Sequence, residues 1–343
     1  MLGIAITAMI SAIVMILVVL LIRYVAGKQI SKMAFMLIWG IITLRLLIPI
    51  ELTSNISIWN LINNPTSARP SEYATTSNFN WLTILLGIWM LGAVMFGLYF
   101  FVNHRRFRKS IRDAVPVTNA YVLEWQKYNS TFRSIEIKQS ESVHSPLTLG
   151  VFKPIIILPD LIELYEEEEL KYILAHEYVH IRRFDYVWKI ILAMVLSLHW
   201  FNPFVWLMYV VANRDIELSC DEIVLKALDK KSSANYAMTL INAADSQNQL
   251  AMLHSGFAKH ALEERVKAIL ETKKKSNIGA TFAVILTVVT LLIFAAPVAA
   301  RINYFVGLSG DGRLFINNQE IDLNNYTNEN GTPIVIMPGA NVD

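Results

Sequence analysis

Four apolar stretches divide the chain, and short charged or polar segments separate them. They cover residues 2–21, 33–50, 81–102 and 278–299. An α-helix needs about 20 apolar residues to cross the roughly 30 Å hydrocarbon layer of a bilayer, so each stretch has about the required length. The first stretch lacks the basic start and the small-residue cleavage site of a signal peptide. The pattern therefore predicts four membrane-spanning helices.

Positive charges around these stretches predict their orientation, because Lys and Arg gather on the cytoplasmic side. Arg23, Lys28 and Lys32 lie around the short loop after the first stretch, and a basic cluster follows the third. Residues 51–80 hold a single basic residue, Arg69, as expected of a translocated loop. Three lysines precede the last stretch. We therefore expect both termini outside the cell.

This topology divides the chain into parts. We predict a bundle of three spans at residues 1–102, with its outer loop at 51–80, and a cytoplasmic domain at 103–277. A last span at 278–300 is then followed by a short extracellular tail at 301–343. The fold class expected is a mainly α membrane protein that carries an α+β domain.

Alternation of apolar and polar residues predicts strands early in the cytoplasmic domain. Residues 132–138 alternate with a period of two, and residues 145–159 form two short strands joined around Gly150 and Pro154. Two interpretations stay open for the edge strand: it is simple scaffold, or it accepts an extended substrate as an added strand. The residues expected to line that edge are Leu147, Leu149 and Val151.

A helix is predicted between the acidic run at residues 166–169 and Arg182-Arg183, because both charges suit the helix dipole. It carries His176-Glu177-Tyr178-Val179-His180. Histidines four residues apart share one helix face, so they can bind one Zn²⁺ while Glu177 acts on the attacking water as general base. The alternative is a pair of hydrogen-bonded core histidines. The spacing favours the metal.

The apolar residues 186–212 are interrupted by His199-Trp200-Phe201-Asn202-Pro203. Each flank is short for a membrane span, so we predict a helical hairpin that turns at Asn202-Pro203 and lies in the bilayer surface or packs under the bundle. Such a hairpin returns the chain to the side of His176, which a single crossing would not do.

A hydrolytic zinc site usually takes three protein ligands, and the third is expected after the hairpin. Glu217 is the predicted ligand, and Asp221, four residues later, is expected to hold the N–H of a ligating histidine. Cys220 is interpreted as a packed thiol on a different face. Arg214 and His199 are candidates for stabilising the oxyanion. His254 and His260 are expected to be surface residues.

Composition limits the classes of function. The chain has 343 residues, of which 54% are hydrophobic, and its mean hydropathy is +0.42, too apolar for an ordinary soluble protein. A net charge of +2 is too small an excess of positive charge to indicate nucleic-acid binding, so direct nucleic-acid binding is not expected. The single cysteine excludes an intramolecular disulfide.

Taken together, these motifs resemble the BlaR1/MecR1-type membrane metallopeptidases, peptidase family M56, whose zinc domain is similar to that of the HtpX/Ste24 proteases. The resemblance covers about residues 1–300. The motifs that carry it are His176-Glu177-x-x-His180, Glu217-x-x-x-Asp221, Ser145-Pro146 with the Pro154-x-Ile156-x-Leu158-Pro159 segment, and His199-Trp200-Phe201-Asn202-Pro203.

This resemblance implies a gluzincin-like cytoplasmic protease that binds zinc through His176, His180 and Glu217, with Glu177 as general base. It implies a transducer, in which an outer sensor activates a protease that inactivates a transcriptional repressor. Self-cleavage before the last span is implied near residues 253–257. A homodimer is a further candidate state.

One departure concerns the extracellular part. Antibiotic-sensing members carry a penicillin-binding domain with a Ser-x-x-Lys motif, whereas residues 301–343 contain no such motif. Direct acylation by a β-lactam is therefore not expected of this chain.

Two other functions stay open. One is a quality-control protease that cuts misfolded membrane proteins, and the other is a receptor or scaffold that keeps zinc for stability alone. Intramembrane proteolysis is less favoured, because charges flank the histidine motif on both sides and are costly at the centre of a bilayer.

Overall fold

The computed structural model is mainly helical, with one small sheet beside the helices and a separate set of short strands near the C-terminus. It describes residues 2–48, 81–129, 133–160, 165–228, 232–248, 255–271 and 277–293, and three short strands between residues 306 and 321. The predicted loop 51–80 lies outside the described residues, as does most of the predicted tail.

The chain begins with three apolar helices: α1 (Leu2–Ala26), α2 (Lys32–Leu47) and α3 (Trp81–Ser110). Ser31 caps α2 by accepting a hydrogen bond from the Met33 N–H, a typical N-cap contact. Helix α3 continues beyond the predicted span through the basic cluster that follows it. Most of its large apolar side chains are exposed, and Leu91 is 71% exposed, as lipid-facing residues would be.

A four-stranded sheet follows α3, in the order β1-β2-β4-β3. Its strands are β1 (Val115–Pro116), β2 (Glu136–Ser140), β3 (Leu147–Leu149) and β4 (Ile155–Pro159), and α4 (Ala120–Tyr128) precedes β2. The two central strands, β2 and β4, run parallel, and β3 pairs antiparallel with β4 at the edge.

The hairpin of β3 and β4 confirms the two strands predicted around Gly150. Gly150 has a φ of 91°, and a Cβ there would lie 2.5 Å from the Lys153 carbonyl oxygen, so the turn needs glycine. Because the chain bends at this glycine, Val151 lies beyond β3, and its prediction as an edge-strand residue is wrong. The Val151 carbonyl instead accepts a hydrogen bond from the Arg133 guanidinium at 2.6 Å.

Three helices then build the centre of the molecule: α5 (Glu167–Arg183), α6 (Asp185–Leu198) and α7 (Pro203–Ala227). Helices α6 and α7 form the predicted hairpin, because α6 ends at Leu198 and the Asn202 side chain caps α7 by accepting from the Phe204 N–H at 3.0 Å. The proline at the start of α7 lacks an N–H that the first helical turn leaves unpaired in any case.

Apolar residues of the hairpin share one core with α1 and α2. The fully or almost fully buried side chains of this cluster include Ile16, Phe35, Ile38, Leu196, Val205 and Met208. The hairpin thus packs against α1 and α2, and its position relative to a bilayer stays a prediction.

After α7 come α8 (Ser233–Asn248), α9 (Ser255–Leu270) and α10 (Asn277–Ile293), and then β5 (Val306–Leu308), β6 (Leu314–Ile316) and β7 (Gln319–Ile321). Strands β5 to β7 form an antiparallel sheet. Helix α8 packs on α5 and α7 around Tyr172, Val224 and Tyr236.

Polar contacts connect the end of α1 to α7 and α9. Arg23 donates to Asp215 at 3.1 Å and to Glu264 at 2.7 Å, and the Trp39 indole donates to the second Asp215 oxygen at 2.9 Å. Asp215 is fully buried, and these donors compensate its negative charge.

Two described helices contain segments long and apolar enough to cross a membrane, Met9–Ala26 in α1 and Thr83–Ser110 in α3. Helix α2 has 16 residues, and the apolar part of α10 is the shorter segment Thr281–Thr290. The four-span topology and its orientation therefore remain predictions.

Candidate metal centre

Helix α5 is a well-capped helix that presents its histidines to the interior. A capping box between Glu166 and Glu169 begins it, and Phe184, with a φ of 59°, ends it in the left-handed conformation. His176, Glu177 and His180 are each at most 8% exposed. The predicted helix and the shared face of the two histidines are confirmed.

The two imidazoles turn the same ring atom toward each other, and their Nε2 atoms lie 3.1 Å apart. Their other nitrogens have partners. His176 Nδ1 lies 2.9 Å from the Tyr236 hydroxyl and 3.2 Å from Asp221 Oδ1, and His180 Nδ1 lies 2.6 Å from Asp185 Oδ2. A carboxylate only accepts hydrogen bonds, so Asp221 and Asp185 favour a proton on each Nδ1, which leaves the Nε2 atoms as the metal-binding positions of the rings.

Two imidazole Nε2 atoms that face each other, with carboxylates on the opposite ring nitrogens, are a donor set that proteins use to bind divalent metals. The chemistry of this donor set therefore fits a metal ion, with the Nε2 atoms of His176 and His180 as ligands and the carboxylates of Asp221 and Asp185 as supports. Sequence reasoning missed Asp185. Its position directly after the break at Phe184 is the signal that could have suggested it.

Helix α7 brings three further side chains to the histidine pair. Glu217 Oε2 lies 3.5 Å from His176 Nε2 and 3.6 Å from His180 Nε2. Asp221, one turn later, contacts the opposite side of the His176 ring, with its Oδ1 3.2 Å from Nδ1.

Cys220 also reaches the site, contrary to the prediction that it lies on a different face. Residues three and four apart share one helix face, so Glu217, Cys220 and Asp221 all point toward α5. The Cys220 sulfur and a nitrogen of each of His176 and His180 lie within 4.8 Å of one another. The thiol donates to the His176 backbone carbonyl oxygen at 3.3 Å.

The Glu177 side chain contacts the sheet. Its Oε2 accepts a hydrogen bond of 2.6 Å from the hydroxyl of Thr148, the central residue of β3. In the part of the chain that the structure describes, β3 lies at the edge of its sheet. Leu147 and Leu149 are half-buried there, on either side of the threonine. The carboxylate is thus next to the strand that could receive an extended peptide.

Two cations that sequence reasoning missed contact the carboxylates. Lys189 on α6 donates to Glu217 Oε1 at 3.0 Å, and the charge of Glu217 raises the pKa of this lysine. Arg265 on α9 forms a bidentate pair with Asp221. The Lys189 side chain is 45% exposed and that of Arg265 is 18% exposed, so the lysine faces the open side of the site.

The remaining candidates lie elsewhere. His199 is at the far end of α6, where its Nε2 lies 3.2 Å from the Leu46 carbonyl oxygen, so the structure does not bring it to the histidine pair. Arg214 is half-buried one turn before Glu217, without an ion pair among the described residues. His260 has a largely exposed side chain, as predicted, whereas His254 lies outside the described residues.

Comparison with known proteins finds a family model and several named relatives that this chain resembles. A family model described as BlaR1 peptidase M56 matches residues 4–269. The regulatory protein BlaR1 of Bacillus licheniformis is 27% identical over 225 residues, which cover 63% of this chain and 37% of that protein.

Two staphylococcal proteins match as well. The methicillin resistance mecR1 protein of Staphylococcus aureus (strain Mu50 / ATCC 700699) is 25% identical over 241 residues, which cover 66% of this chain and 40% of that protein. The regulatory protein BlaR1 of Staphylococcus aureus is 25% identical over 308 residues, which cover 81% of this chain and 53% of that protein. The matched region thus spans only about 40 to 50% of these relatives.

Proposed function

This chain belongs to the BlaR1 peptidase M56 family, and from that premise we propose that it is a zinc-dependent endopeptidase of the membrane. It transduces an extracellular signal by cutting a cytoplasmic protein, a transcriptional repressor. The names of the relatives support the signalling part, because they describe regulatory and methicillin resistance proteins. The apolar helices α1 and α3 support the membrane part.

The observation that carries the proposal is the spacing of three atoms from two helices. Atoms held at about 2.0–2.1 Å from one tetrahedral zinc ion lie roughly 3.3 Å apart. The Nε2 atoms of His176 and His180 are 3.1 Å apart, and Glu217 Oε2 lies 3.5 and 3.6 Å from them. Two imidazoles and one carboxylate are also a common ligand set of zinc peptidases.

The other side chains have roles that follow from their contacts. Zinc, when bound, supplies a Lewis acid that polarises the scissile carbonyl. Glu177 accepts a proton from the attacking water and delivers it to the leaving amine. Thr148 holds the carboxylate of Glu177 in position, and the free edge of β3 binds the peptide as an added strand.

The negative charge that develops on the scissile carbonyl oxygen needs a hydrogen-bond donor to stabilise it. Lys189 is the candidate that the geometry favours over Arg214 and His199, because it lies beside Glu217 and is partly exposed. Asp185 and Asp221 keep the protons of the imidazoles on Nδ1, so that Nε2 remains free for the metal.

Replacing Glu177 by Gln tests the activity. This variant should retain zinc, because both histidines and Glu217 remain, but should lose proteolysis, because an amide cannot accept the proton. Zinc content of the purified full-length protein and the cellular proteins that accumulate uncut would be measured together. Glu167→Gln, at an exposed position in the first turn of the same helix, is the matched control and should cleave normally.

The identity of the uncut proteins separates the alternatives. One accumulating DNA-binding protein supports signalling, whereas many membrane proteins would favour the quality-control function. Equal proteolysis by the Glu177→Gln variant would refute the catalytic role. A wild-type protein that binds zinc but cuts nothing under any stimulus would favour a receptor or scaffold. Self-cleavage near residues 253–257 and a homodimer stay predictions.

A further inference from the structure

Arg265 contacts the metal centre from a helix that the sequence analysis did not connect with it. Its Nε donates to Asp221 Oδ2 and its Nη2 donates to Asp221 Oδ1, both at 2.8 Å. Two parallel hydrogen bonds between a guanidinium and a carboxylate fix both groups in one plane, and they are among the strongest that proteins form. The pair therefore determines how the Asp221 carboxylate is turned.

The buried carboxylate of Asp221 is kept ionised by the positive charge of Arg265. The carboxylate is 2% exposed, and burial alone would raise its pKa, but the Arg265 guanidinium holds the pKa of Asp221 well below its usual range. The hydroxyl of Tyr236 donates to Asp221 Oδ1 at 2.6 Å. The same oxygen lies 3.2 Å from His176 Nδ1, so the orientation of the carboxylate is passed on to the imidazole.

Arg265 is also close to the ligand atoms without being a ligand. Its guanidinium lies 3.4 Å from His176 Nε2 and 3.8 Å from Glu217 Oε2. An arginine has no lone pair to offer a metal, and its charge alone would oppose a cation nearby. Any benefit to metal binding must therefore act through Asp221, by keeping its carboxylate ionised and oriented, and any cost comes from the direct repulsion between the guanidinium and the metal ion. The two effects have opposite signs and can be separated.

We propose that Arg265 is a positioning residue of the metal centre, which sets the His176 imidazole through Asp221 and thereby links metal binding to the docking of α9. The inference rests on the proposed metal site. It deepens that site by making α9, whose first residues belong to the predicted self-cleavage segment, part of its support. Glu264, the preceding residue, pairs with Arg23 of α1, so adjacent residues hold α9 to two different helices.

The test is the zinc affinity of purified full-length protein, measured by competition with a chromophoric chelator. Arg265→Gln removes both the charge and the bidentate hydrogen bonds to Asp221. Arg265→Lys keeps the charge but cannot form the bidentate pair. We expect both variants to bind zinc more weakly, by about 10- to 100-fold, as typical when the support of a ligand is lost. Lys267→Gln, at an exposed position of α9, is the matched control and should bind like the wild type.

Hydrogen exchange across residues 255–270 gives a second readout that is independent of proteolysis. Stripping the metal from the wild-type protein should increase exchange in α9, and Arg265→Gln should show increased exchange even with metal present. If Arg265→Gln does not fold, Arg265→Lys carries the test.

An unchanged zinc affinity in Arg265→Gln would mean that the arginine does not support the site, and a tightened affinity would mean that only its repulsion matters; either result would overturn the proposal. Hydrogen exchange in α9 that stays the same when the metal is removed would overturn it as well. A wild-type protein that binds no zinc would instead refute the proposed function itself, which keeps the two failures distinguishable.

Discussion

Among the described side-chain hydrogen bonds, the one from Thr148 joins the edge strand β3 to helix α5. The Thr148 hydroxyl lies 2.6 Å from Glu177 Oε2 and 3.4 Å from the Glu177 carbonyl oxygen. Because the same strand is the proposed binding edge for a peptide, substrate and general base would be held by neighbouring atoms of β3.

Replacing Thr148 by Val should lower kcat with little change in KM. Valine has nearly the shape of threonine but cannot donate to Glu177, and hydrogen bonds to charged groups contribute about 1.5–3 kcal/mol. We expect kcat to fall by about tenfold to a hundredfold, measured on the protein that accumulates uncut in the Glu177→Gln variant.

Thr148→Ser is the matched variant, since it keeps the hydroxyl and should restore most of kcat. A Thr148→Val protein with the wild-type kcat would show that the hydrogen bond does not position the general base.

At this scale, spacing within a helix was enough to predict part of the site. His176 and His180, and Glu217 and Asp221, are pairs four residues apart, and helix periodicity alone put each pair on one face. Cys220 shows how such reasoning fails, because a residue three positions after Glu217 shares that face as well. Arg265 and Tyr236 come from other helices, and their approach depends on tertiary packing that no local spacing reveals.

Among the elements, the turn between α6 and α7 packs closely on α3. A Cβ on Gly92 would lie only 2.2 Å from the Trp200 ring, and Phe96 stacks on the same indole with ring centroids 6.0 Å apart. Trp89 adds a hydrogen bond of 2.8 Å to the Leu198 carbonyl oxygen. The motif at residues 199–203, noted in the sequence for its resemblance, thus works here as a packing element.

Gly92→Ala should therefore destabilise the protein, because the indole must move to make room for a methyl group. Overpacking of this kind typically costs about 1–3 kcal/mol. Thermal unfolding in detergent, followed by tryptophan fluorescence, would report the change as a lowered Tm.

Gly87→Ala and Gly97→Ala are the matched controls on the same helix, where an added Cβ meets nothing within 4 Å. These controls should be neutral or slightly stabilising, since alanine favours a helix over glycine by about 1 kcal/mol. Equal Tm values for Gly92→Ala and the controls would contradict the close approach of Trp200.

Element boundaries were harder to predict than the elements themselves. Alternation placed a strand at residues 132–138, but β2 is Glu136–Ser140, because the parallel pairing with β4 selects the register. The pattern of apolar residues also does not predict that α3 continues to Ser110 through the basic residues. Arg and Lys are good helix formers, so a helix can continue where a hydrophobic pattern stops.

At the scale of the whole molecule, the hairpin of α6 and α7 and the N-terminal helices α1 and α2 share one hydrophobic core. Leu192, Leu196 and Met208 of the hairpin are buried against α1 and α2, each at most 2% exposed. Sequence analysis divided the chain at residue 103 because charge and hydropathy change there, and neither property indicates which apolar faces meet.

A fragment of residues 103–277 should therefore not behave as a soluble domain. Without α1 and α2 it would expose several large apolar side chains, each worth about 1.5–3 kcal/mol when buried. Size-exclusion chromatography without detergent should show aggregates, and producing residues 1–48 together with the fragment, in detergent, should give a complex. A monodisperse fragment in plain buffer would contradict the shared core.

The order in which the metal centre's residues occur in the chain sets the order in which it can be built. His176 and His180 leave the ribosome first, the carboxylates of α7 follow after the hairpin, Tyr236 comes next, and Arg265 comes last of all. A nascent chain therefore has the proposed ligand residues before it has the guanidinium that pairs with Asp221. Biosynthesis completes the site late, once the hairpin and α9 have both been made and have packed in place.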